Sequence, residues 1–412
     1  MAIPTNILQQ VQTYQPSLLG YLENLNCFVS TANTRFKDFN KLEANLGDSV
    51  TYDTPPRYTT GDGLVVTFQP SQQNIETLTV NKAKNIGYAF SAQQFIFNVE
   101  DYMDKFGKSA MYELSSQVEA DIAEVALNST YRFYGDGVTA INSFGQLAQM
   151  NAQFRNYGAV KDKLKVYLSD LAVPSIVNSG LQQFTPSRND DLAMSWMVGD
   201  FDGANYYRSN LLPTHFAGTL GEAATTLTLV STNDPTGANV TQLTFSGAGT
   251  SSTAALENDL GYFLDNVGSF TDQRYLTYIG HKVSGNPVQF RVTADAASSG
   301  GAITLNVSPA LVWAPTNNQN LNTPLVAGMQ VKLLPSHRAG LIVGGDALFL
   351  AMPRLPDQVP YPTSIETDSD TGVSLRSYYG SLFGQNQQGY VHDLIWGKSL
   401  ASQYAMRICF PV

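Results

Sequence analysis

The sequence predicts an α+β protein that combines a long helix, an extended β-hairpin and a separate β-rich domain. From Asn98 to Asn128, apolar residues recur at steps of three and four positions, as on one face of an α-helix. Ahead of this helix, β-type runs flank the sequence Thr60-Gly61-Asp62-Gly63, which is typical of a hairpin turn. From Glu222 to about Pro335, Thr, Ser, Gly and Asn dominate and short β-type runs alternate with turn residues. That pattern predicts a small β-barrel or sandwich.

The chain of 412 residues suffices for about two or three domains, and changes in composition divide it into six predicted segments. In order, they are an N-terminal arm at 1–46, an extended hairpin loop at 47–94, a long helix at 95–134, the first part of an α/β domain at 135–221, an inserted β-barrel domain at 222–335 and the remainder of the α/β part at 336–412.

The first two segments lack an obvious core of their own. Pro4 and Pro16 interrupt the amphipathic pieces of the arm, so we expect neighbouring structure to order it. The predicted strands of the hairpin are Ser49–Asp53, Leu64–Phe68, Ile75–Val80 and Ile86–Ala92. Because a lone hairpin is marginally stable in water, it needs a partner surface, which is either another chain or its own domain.

The long helix has a well-marked start. Asn98 is placed to cap the first free N–H groups, and Asp101 follows at the third helical position. A helix of this span would be about 45 Å long. Glu119, Asp121 and Glu124 are predicted to lie on its solvated face.

The two α/β segments contain short elements of both kinds. The predicted helical pieces are Phe144–Tyr157, Ala172–Ser179 and Asp346–Met352, and the predicted strands are Lys165–Leu168, His392–Trp396 and Ala405–Phe410. In the β-rich segment, the predicted strands are Thr225–Val230, Val240–Phe245, Gly261–Val267, Leu276–Val283, Val288–Thr293, Ala302–Val307 and Met329–Leu334.

Composition favours a subunit of an assembly. Charged residues make up 14% of the chain against a usual ~25%, so much of the surface is either neutral and polar or covered by other chains. The net charge of −10, with 24 Lys and Arg, argues against tight binding of nucleic acid. Cys27 and Cys409 have no metal-type spacing and are expected to be reduced, buried thiols of a cytoplasmic protein. We expect no signal peptide and no membrane span.

No motif in the chain calls for catalysis, a cofactor or a metal ion. The four histidines lack a second His or Cys at zinc-type spacing. Gly340-x-x-x-Gly344-Gly345 lacks the lysine and hydroxyl of a phosphate loop. The calcium-like run from Asp368 to Gly372 has Tyr379 where a bidentate Glu is required. We therefore predict no enzyme, no cofactor and no catalytic, cofactor-binding or metal-binding residue.

The pair His392-Asp393 contains two of the three residue types of a catalytic triad. It lies in a strand-like run with no G-x-S-x-G motif nearby. The sequence therefore predicts a hydrogen-bonded structural histidine.

The order of these parts resembles one family, and five stretches carry the resemblance. They are "NYYRSNLLPTHFAGT" (Asn205–Thr219), "GNPVQFRVTADAASSGGAITLNVSPAL" (Gly285–Leu311), "PSHRAGLIVGGDALFLAMPRLP" (Pro335–Pro356), "GVSLRSYYG" (Gly372–Gly380) and "VHDLIWGKSLASQYAMRI" (Val391–Ile408). Over nearly its whole length the chain resembles the major capsid proteins of tailed phages, which have the Hong Kong 97 fold. Within that family it most resembles the coat proteins of short-tailed Salmonella phages, which carry an inserted β-barrel.

The resemblance implies roles for the segments. The hairpin would be the extended loop, the long helix the spine of the peripheral domain, and the α/β part the axial domain at capsomer centres. Pro335–Pro356 would be the helix that re-enters the axial domain.

The resemblance also implies a function. The chain would self-assemble into hexamers and pentamers of an icosahedral head that encloses double-stranded DNA, with a scaffolding protein and a portal protein. A decoration protein is a further candidate partner, packaged DNA would be touched only weakly, and no membrane is involved. The protein would be assembled in the host cytoplasm and end in the virion.

Single residues follow from the same resemblance. Arg57, Asp62 and Glu76 are candidate subunit contacts, and Glu23, the first acidic residue of the chain, is a candidate scaffold contact. Some family members cross-link neighbours through a lysine of the extended loop. No lysine lies between Lys41 and Lys82, so we predict a shell without covalent cross-links.

Two alternatives stay open at the level of sequence. An encapsulin-type cellular shell shares the fold, although the inserted β-domain argues against it. A carbohydrate-binding or hydrolytic protein would use the β-domain as its binding module and needs a cleft with aromatic residues and paired carboxylates. Trp196, Trp313 and Trp396 are instead scattered along the chain.

Overall fold

Strands dominate the structure, a computed structural model. It describes residues 27–33, 49–54, 58, 68, 74–91, 107–158, 163–177, 197–265, 267–268, 270–278, 280–367, 373–382 and 387–412. Predictions for other residues lie outside the described ones, including Pro4, Pro16, Glu23, most of Leu64–Phe68, Asn98, Asp101, the end of Ala172–Ser179, Trp196 and the run from Asp368 to Gly372.

The described helices are short apart from two. They are α1 Cys27–Thr31, α2 Lys108–Ala123, α3 Val125–Asn128, α4 Phe144–Asn156, α5 Val173–Val177 and α6 Thr219–Glu222, with a 3-10 turn at Ser402–Tyr404. The strands are β1 Ser49–Thr54, β2 Asn74–Ser91, β3 Phe133–Tyr134, β4 Leu164–Ser169, β5 Met197–Phe201, β6 Ala204–Ser209, β7 Thr214–His215, β8 Thr226–Thr232, β9 Val240–Ser246, β10 Ser251–Ala255, β11 Leu260–Phe263, β12 Arg274–Leu276, β13 Val283–Pro287, β14 Gln289–Val292, β15 Ala296–Ser298, β16 Ala302–Leu311, β17 Gln330–Leu333, β18 His337–Gly344, β19 Leu348–Ala351, β20 Thr363–Thr367, β21 Ser374–Leu382, β22 Gln387–Leu400 and β23 Ala405–Phe410.

The chain forms two units. The first comprises 1–52, 75–123 and 348–400, and the second comprises 53–74, 124–347 and 401–412. Both draw on separated parts of the sequence.

In the first unit, a six-stranded sheet runs in the order β1-β2-β22-β21-β20, and β19 pairs with the far end of β22. Strand β2 follows β22 antiparallel from Val80 opposite Gly397 to Ser91 opposite Gln387. The predicted strands Ile75–Val80 and Ile86–Ala92 are therefore one strand of 18 residues. Pairing with β22 runs through the expected break, with a shift of register between Val80 and Lys82.

Helix α2 of the first unit has the predicted apolar face. Met111, Leu114, Val118 and Ile122 are all buried, at steps of three and four positions. The predicted continuous helix to Asn128 is interrupted at Glu124, because Leu127 N and Asn128 N both donate to its carbonyl and start the separate turn α3.

The second unit contains a seven-stranded sheet in the order β3-β23-β18-β4-β6-β5, with β7 also paired to β18. Its strands come from both sides of the β-rich segment: β3 to β7 precede that segment, and β18 and β23 follow it. Helix α4 begins at Ser143, whose side chain accepts a hydrogen bond from Gln146 N. The core between α4 and the sheet includes Phe154, Val166 and Ile342.

The β-rich segment folds into a closed barrel of strands β11-β14-β16-β9-β8-β17. Alternate residues of its strands point inward, so Leu243, Phe245 and Leu305 are fully buried. Two short ribbons, β10-β15 and β12-β13, lie beside the barrel strands in sequence.

Three further predictions of secondary structure are wrong. The predicted strand Leu276–Val283 is a turn, because Gly280 and His281 have positive φ angles of 90° and 46° and Leu276 pairs with Val283. The predicted helical piece Asp346–Met352 is strand β19, and the predicted re-entering helix within Pro335–Pro356 begins as strand β18. Both apolar runs pair with neighbouring strands, and a short apolar run does not distinguish a buried strand from a helix.

Candidate assembly surface

Strand β2 carries an open surface in the first unit. Its 18 residues span about 60 Å at ~3.3 Å per residue. Between Asn81 and Ala89 every residue is exposed except Ile86 and Tyr88, which are half-buried. A strand with one covered face would alternate between buried and exposed residues. Both faces are therefore open from Asn81 to Asn85, and from there to Ala89 the face of Ile86 and Tyr88 is partly covered.

The open stretch pairs with β22 along its length. Lys84 lies opposite Leu394, and Asn85 lies opposite Asp393. The β22 side of the pair is better covered, because Tyr390, His392, Leu394 and Trp396 are all buried. The exposed side chains of β2 are small, polar or basic, and they form the surface that we call the β2 surface (residues 81–89).

Lys82, near the start of the β2 surface, forms an ion pair with Asp121 on helix α2. The Asp121 carboxylate lies 3.2 Å from Lys398 Nζ and 3.6 Å from Lys82 Nζ. The indole N–H of Trp396 donates to the same carboxylate at 2.8 Å. Two lysines and one indole from two strands therefore fix the helix against the sheet.

Glu119, one half-turn before Asp121, receives the N-terminal helix α1. Its Oε1 accepts hydrogen bonds from Cys27 N at 3.1 Å and from the Cys27 thiol at 2.9 Å. Phe28 N donates to both carboxylate oxygens at 3.2 Å. Burial raises the pKa of Glu119, and these hydrogen bonds oppose that shift. The carboxylate thus caps the free N–H groups of α1.

The predicted solvated face of the long helix is wrong for two of its three residues. Glu119 is 3% exposed, and the Asp121 side chain is 14% exposed, whereas Glu124 is exposed as predicted. The partners of Glu119 and Asp121 lie 92 and 275 residues away in sequence, so local spacing could not reveal them. One signal in the sequence indicates a buried polar partner. Lys398 follows the apolar residues Leu394, Ile395 and Trp396 closely.

His392 is the structural histidine that the sequence predicted. Its Nδ1 lies 2.6 Å from Ser377 Oγ, and its Nε2 lies 2.8 Å from the Tyr88 hydroxyl. Burial lowers the pKa of His392 to about 4. Asp393 makes an ion pair with Arg376 at 2.6 Å instead of orienting the imidazole. Because Ser377 is 2% exposed, this Ser–His pair has no access for a substrate.

Other predicted features are placed as follows. Cys27 and Cys409 are buried thiols, as predicted. Glu76 lies on β2, while Arg57, Asp62 and Glu23 lie outside the described residues. Among the described residues, no three His, Cys, Asp or Glu side chains are grouped as a metal site requires. In the same part of the chain, no helix is long and apolar enough to cross a membrane.

Solved structures to which this fold is similar come from phages and from a virus-like particle. A chain of Mycobacterium phage Che8 matches with a TM-score of 0.41 and 9% identity, covering 92% of both chains. The capsid of the cyanophage P-SCSP1u matches with a TM-score of 0.40 and 10% identity, covering 92% of this chain and 88% of the other. A virus-like particle from Pyrococcus furiosus matches with a TM-score of 0.41 and 6% identity, covering 97% and 98%. No family model and no curated protein matches the sequence.

Proposed function

We propose that this chain is the major capsid protein of a tailed phage. It self-assembles into hexamers and pentamers of the icosahedral head that encloses double-stranded DNA, and it is not an enzyme. The observation that carries this proposal is the β2 surface: seven of its nine residues are exposed, and the other two, Ile86 and Tyr88, are half-buried. A second copy of the chain is the occupant that covers it.

The order of the elements supports the same proposal. A long strand and a one-sided helix are followed by a mixed sheet, and a closed barrel separates the sheet's early strands from its late ones. This is the order of parts that the resemblance to coat proteins with the Hong Kong 97 fold implies. In those terms, residues 47–94 are the extended loop, 95–134 the spine helix, 135–221 and 336–412 the axial and peripheral parts, and 222–335 the inserted barrel.

The acidic net charge of the chain is compatible with a capsid that encloses DNA. With a net charge of −10, the subunit repels the phosphate backbone over most of its surface, so packaged DNA touches the shell only weakly and without sequence preference. The remaining partners are a scaffolding protein, a portal protein and, as a further candidate, a decoration protein. Assembly takes place in the host cytoplasm, and the finished subunit is part of the virion.

The candidate contact residues follow from the extended loop and the arm. Arg57, Asp62 and Glu76 are proposed to contact the neighbouring subunit, and Glu23 is proposed to contact the scaffold. Because no lysine lies between Lys41 and Lys82, the tip of the loop around Asp62 has no amine for an isopeptide bond. Boiled, reduced shells should run as a single band on a denaturing gel, and a ladder of multiples would contradict this.

Electron microscopy of the expressed chain tests the proposed function. The chain is produced alone and together with the scaffolding protein of its own phage. Closed shells of regular size with scaffold are expected. A monodisperse monomer under both conditions, with glycan binding or hydrolase activity, would overturn the proposal in favour of the carbohydrate alternative. Scaffold-free shells loaded with a cellular enzyme would support the encapsulin-type alternative, which the barrel disfavours.

A further inference from the structure

The second unit contains a buried polar centre at the turn that leads into barrel strand β11. The turn consists of Asn258 and Asp259. Asp259 is fully buried, and Asn258 has a φ of 72°, a left-handed conformation that is uncommon for any residue other than glycine. A non-glycine residue keeps such a conformation when its surroundings fix it firmly.

Asp259 ties the turn to the sheet. Its Oδ1 lies 2.7 Å from His215 Nε2, on strand β7. Its Oδ2 accepts hydrogen bonds from Gly218 N at 3.2 Å and from Leu256 N at 2.8 Å. A buried carboxylate is tolerated only when such donors satisfy it. The carboxylate therefore joins the last sheet strand before the barrel, the start of α6 and the barrel itself.

Asn258 uses every polar group it has. Its N–H donates to Val292 O at 2.8 Å, and its side-chain oxygen accepts from Arg291 at 2.7 Å. Its side-chain amide donates to Asn128 Oδ1 at 2.8 Å, at the end of α3. Its carbonyl accepts from the Arg407 guanidinium at 3.1 Å. The turn is thereby bonded to the barrel, to α3 and to the sheet.

Arg407 supplies the sheet's half of this centre. It lies on β23 and is fully buried. Besides Asn258 O, it donates to Ala126 O at 2.9 Å, to Leu127 O at 2.6 Å and to Thr130 Oγ1 at 3.1 Å. The carbonyls at the end of a helix lack partners within the helix, so Arg407 caps α3 while it holds the barrel turn.

His337 completes the centre as a neutral group. Its Nδ1 lies 2.8 Å from Pro335 O and donates to that carbonyl, and its Nε2 lies 3.4 Å from Arg407. Burial and the neighbouring Arg407 lower the pKa of His337 to about 3. The imidazole is therefore uncharged near neutral pH and accepts a hydrogen bond from the guanidinium.

We propose that the Asn258–Asp259 turn and Arg407 form a rigid joint that fixes the orientation of the barrel on the sheet. The same joint holds the C-terminal end of α3 in a fixed position relative to the barrel and the sheet. The barrel has further attachments to the sheet and to the end of α4. Gln289 on β14 accepts a hydrogen bond from Phe133 N at 2.9 Å and donates one to Phe133 O at 3.0 Å, and Tyr278 N donates to Tyr157 O at 2.7 Å. These hydrogen bonds join uncharged groups and are weaker than the charged hydrogen bonds of Asp259 and Arg407.

Distances between spin labels in the full-length chain test the joint. One label is placed on the barrel at Thr304→Cys, which is exposed, and the other beside the sheet at Leu171→Cys, which is 68% exposed. Cys27 and Cys409 are buried and stay unlabelled. The wild-type background should give a single narrow distance distribution.

Arg407→Met should broaden and shift this distribution, because three carbonyls and one hydroxyl lose their buried donor. Asn258→Gly should broaden it too, since glycine keeps the left-handed turn but removes the bonds to Asn128 and Arg291. The matched control is Arg338→Met. It removes a guanidinium that donates to Pro411 O at 3.1 Å. That variant should leave the distribution narrow.

Fluorescence of Trp313, which packs against Gly237 in the barrel, reports whether the barrel stays folded. If Arg407→Met does not fold, Arg407→Lys and Asn258→Gly provide the test with smaller changes. Narrow, unshifted distributions in folded Arg407 and Asn258 variants would overturn the proposal. Equal broadening by Arg338→Met would overturn it as well, because the effect would then belong to any loss of charge in the sheet.

Discussion

The barrel of the second unit and the six-stranded sheet of the first unit treat their edges in opposite ways. Every barrel strand has a partner on both sides, because the order β11-β14-β16-β9-β8-β17 closes on itself. The sheet instead ends at β1 and β20, and β2 is exposed along residues 81–89. Closure makes the barrel self-sufficient. In the proposed shell, other subunits would cover the open sheet, so stability and assembly would be encoded in different regions.

The largest expected effect comes from breaking the self-sufficient region. Phe290 is fully buried in the barrel, and its ring meets that of Phe263 edge to face at 6.0 Å. Phe290→Ala should lower the free energy of unfolding by about 3–5 kcal/mol through lost burial and a new cavity. Thermal unfolding followed by Trp313 fluorescence measures this loss.

Phe216→Ala is the matched control for that substitution. Phe216 is 69% exposed, so its loss should change stability by less than about 0.5 kcal/mol. Similar destabilisation by both variants would contradict a barrel that is held by its own core.

The second expected effect is a pH dependence of the free energy of unfolding, which arises from the buried His392 of the open sheet. The pKa of His392 is lowered from 6.5 to about 4 by burial, so the unfolded chain binds more protons than the folded chain between these values. Stability is therefore fully present above pH 6.5 and falls as the pH drops towards 4, by about 1.4 kcal/mol per pH unit. His392→Gln should reduce the slope measured in denaturant titrations at several pH values by this amount and leave the contribution of His337, whose pKa burial lowers to about 3. An unchanged slope would remove His392 as its cause.

These regions also differ in how far the sequence predicts them. Most barrel strands follow from alternation and turn residues, since inward residues such as Leu243 and Phe245 belong to one core. The exception, Leu276–Val283, was misread because the left-handed turn at Gly280 and His281 is set by the pairing of Leu276 with Val283. Local patterns thus predicted local pairing well.

The polar contacts were beyond local patterns. Glu119, Asp121 and Arg407 look like surface charges in sequence, yet each is covered by partners at least 39 residues away. Arg407 did leave a trace, as the only charged residue in the run Ala405–Phe410. A single charge inside an apolar strand indicates a buried, paired group, because burying it unpaired is too costly. That reading would have placed Arg407 among the structural candidates.

The third effect concerns the attachment of α1 to helix α2. Glu119→Gln should weaken the attachment of α1 by about 1–3 kcal/mol. The side-chain NH₂ group of Gln is a donor and cannot accept the hydrogen bonds that one carboxylate oxygen of Glu119 accepts. Cys27, which is 3% exposed, should then react faster with a thiol reagent, by about tenfold per 1.4 kcal/mol lost.

Glu113→Gln on the same helix is the control. Glu113 is exposed and accepts a hydrogen bond from Gln117 at 3.2 Å, so this variant should leave Cys27 protected. Unchanged Cys27 reactivity in Glu119→Gln would mean that other contacts hold α1.

The smallest effect on stability should accompany the clearest effect on assembly. Lys84 is exposed on the β2 surface, so Lys84→Glu should change the free energy of unfolding by less than about 0.5 kcal/mol. In the proposed shell, a second copy covers this surface, and a reversed charge at a covered position costs several kcal/mol of association. Folded subunits with wild-type melting behaviour that fail to form shells in the electron microscope are therefore expected. Lys163→Glu, at a lysine that is 73% exposed in the second unit, should still assemble. If Lys84→Glu assembles as well as the wild type, the β2 surface is not a subunit contact, and the open sheet loses the role that its contrast with the barrel assigns to it.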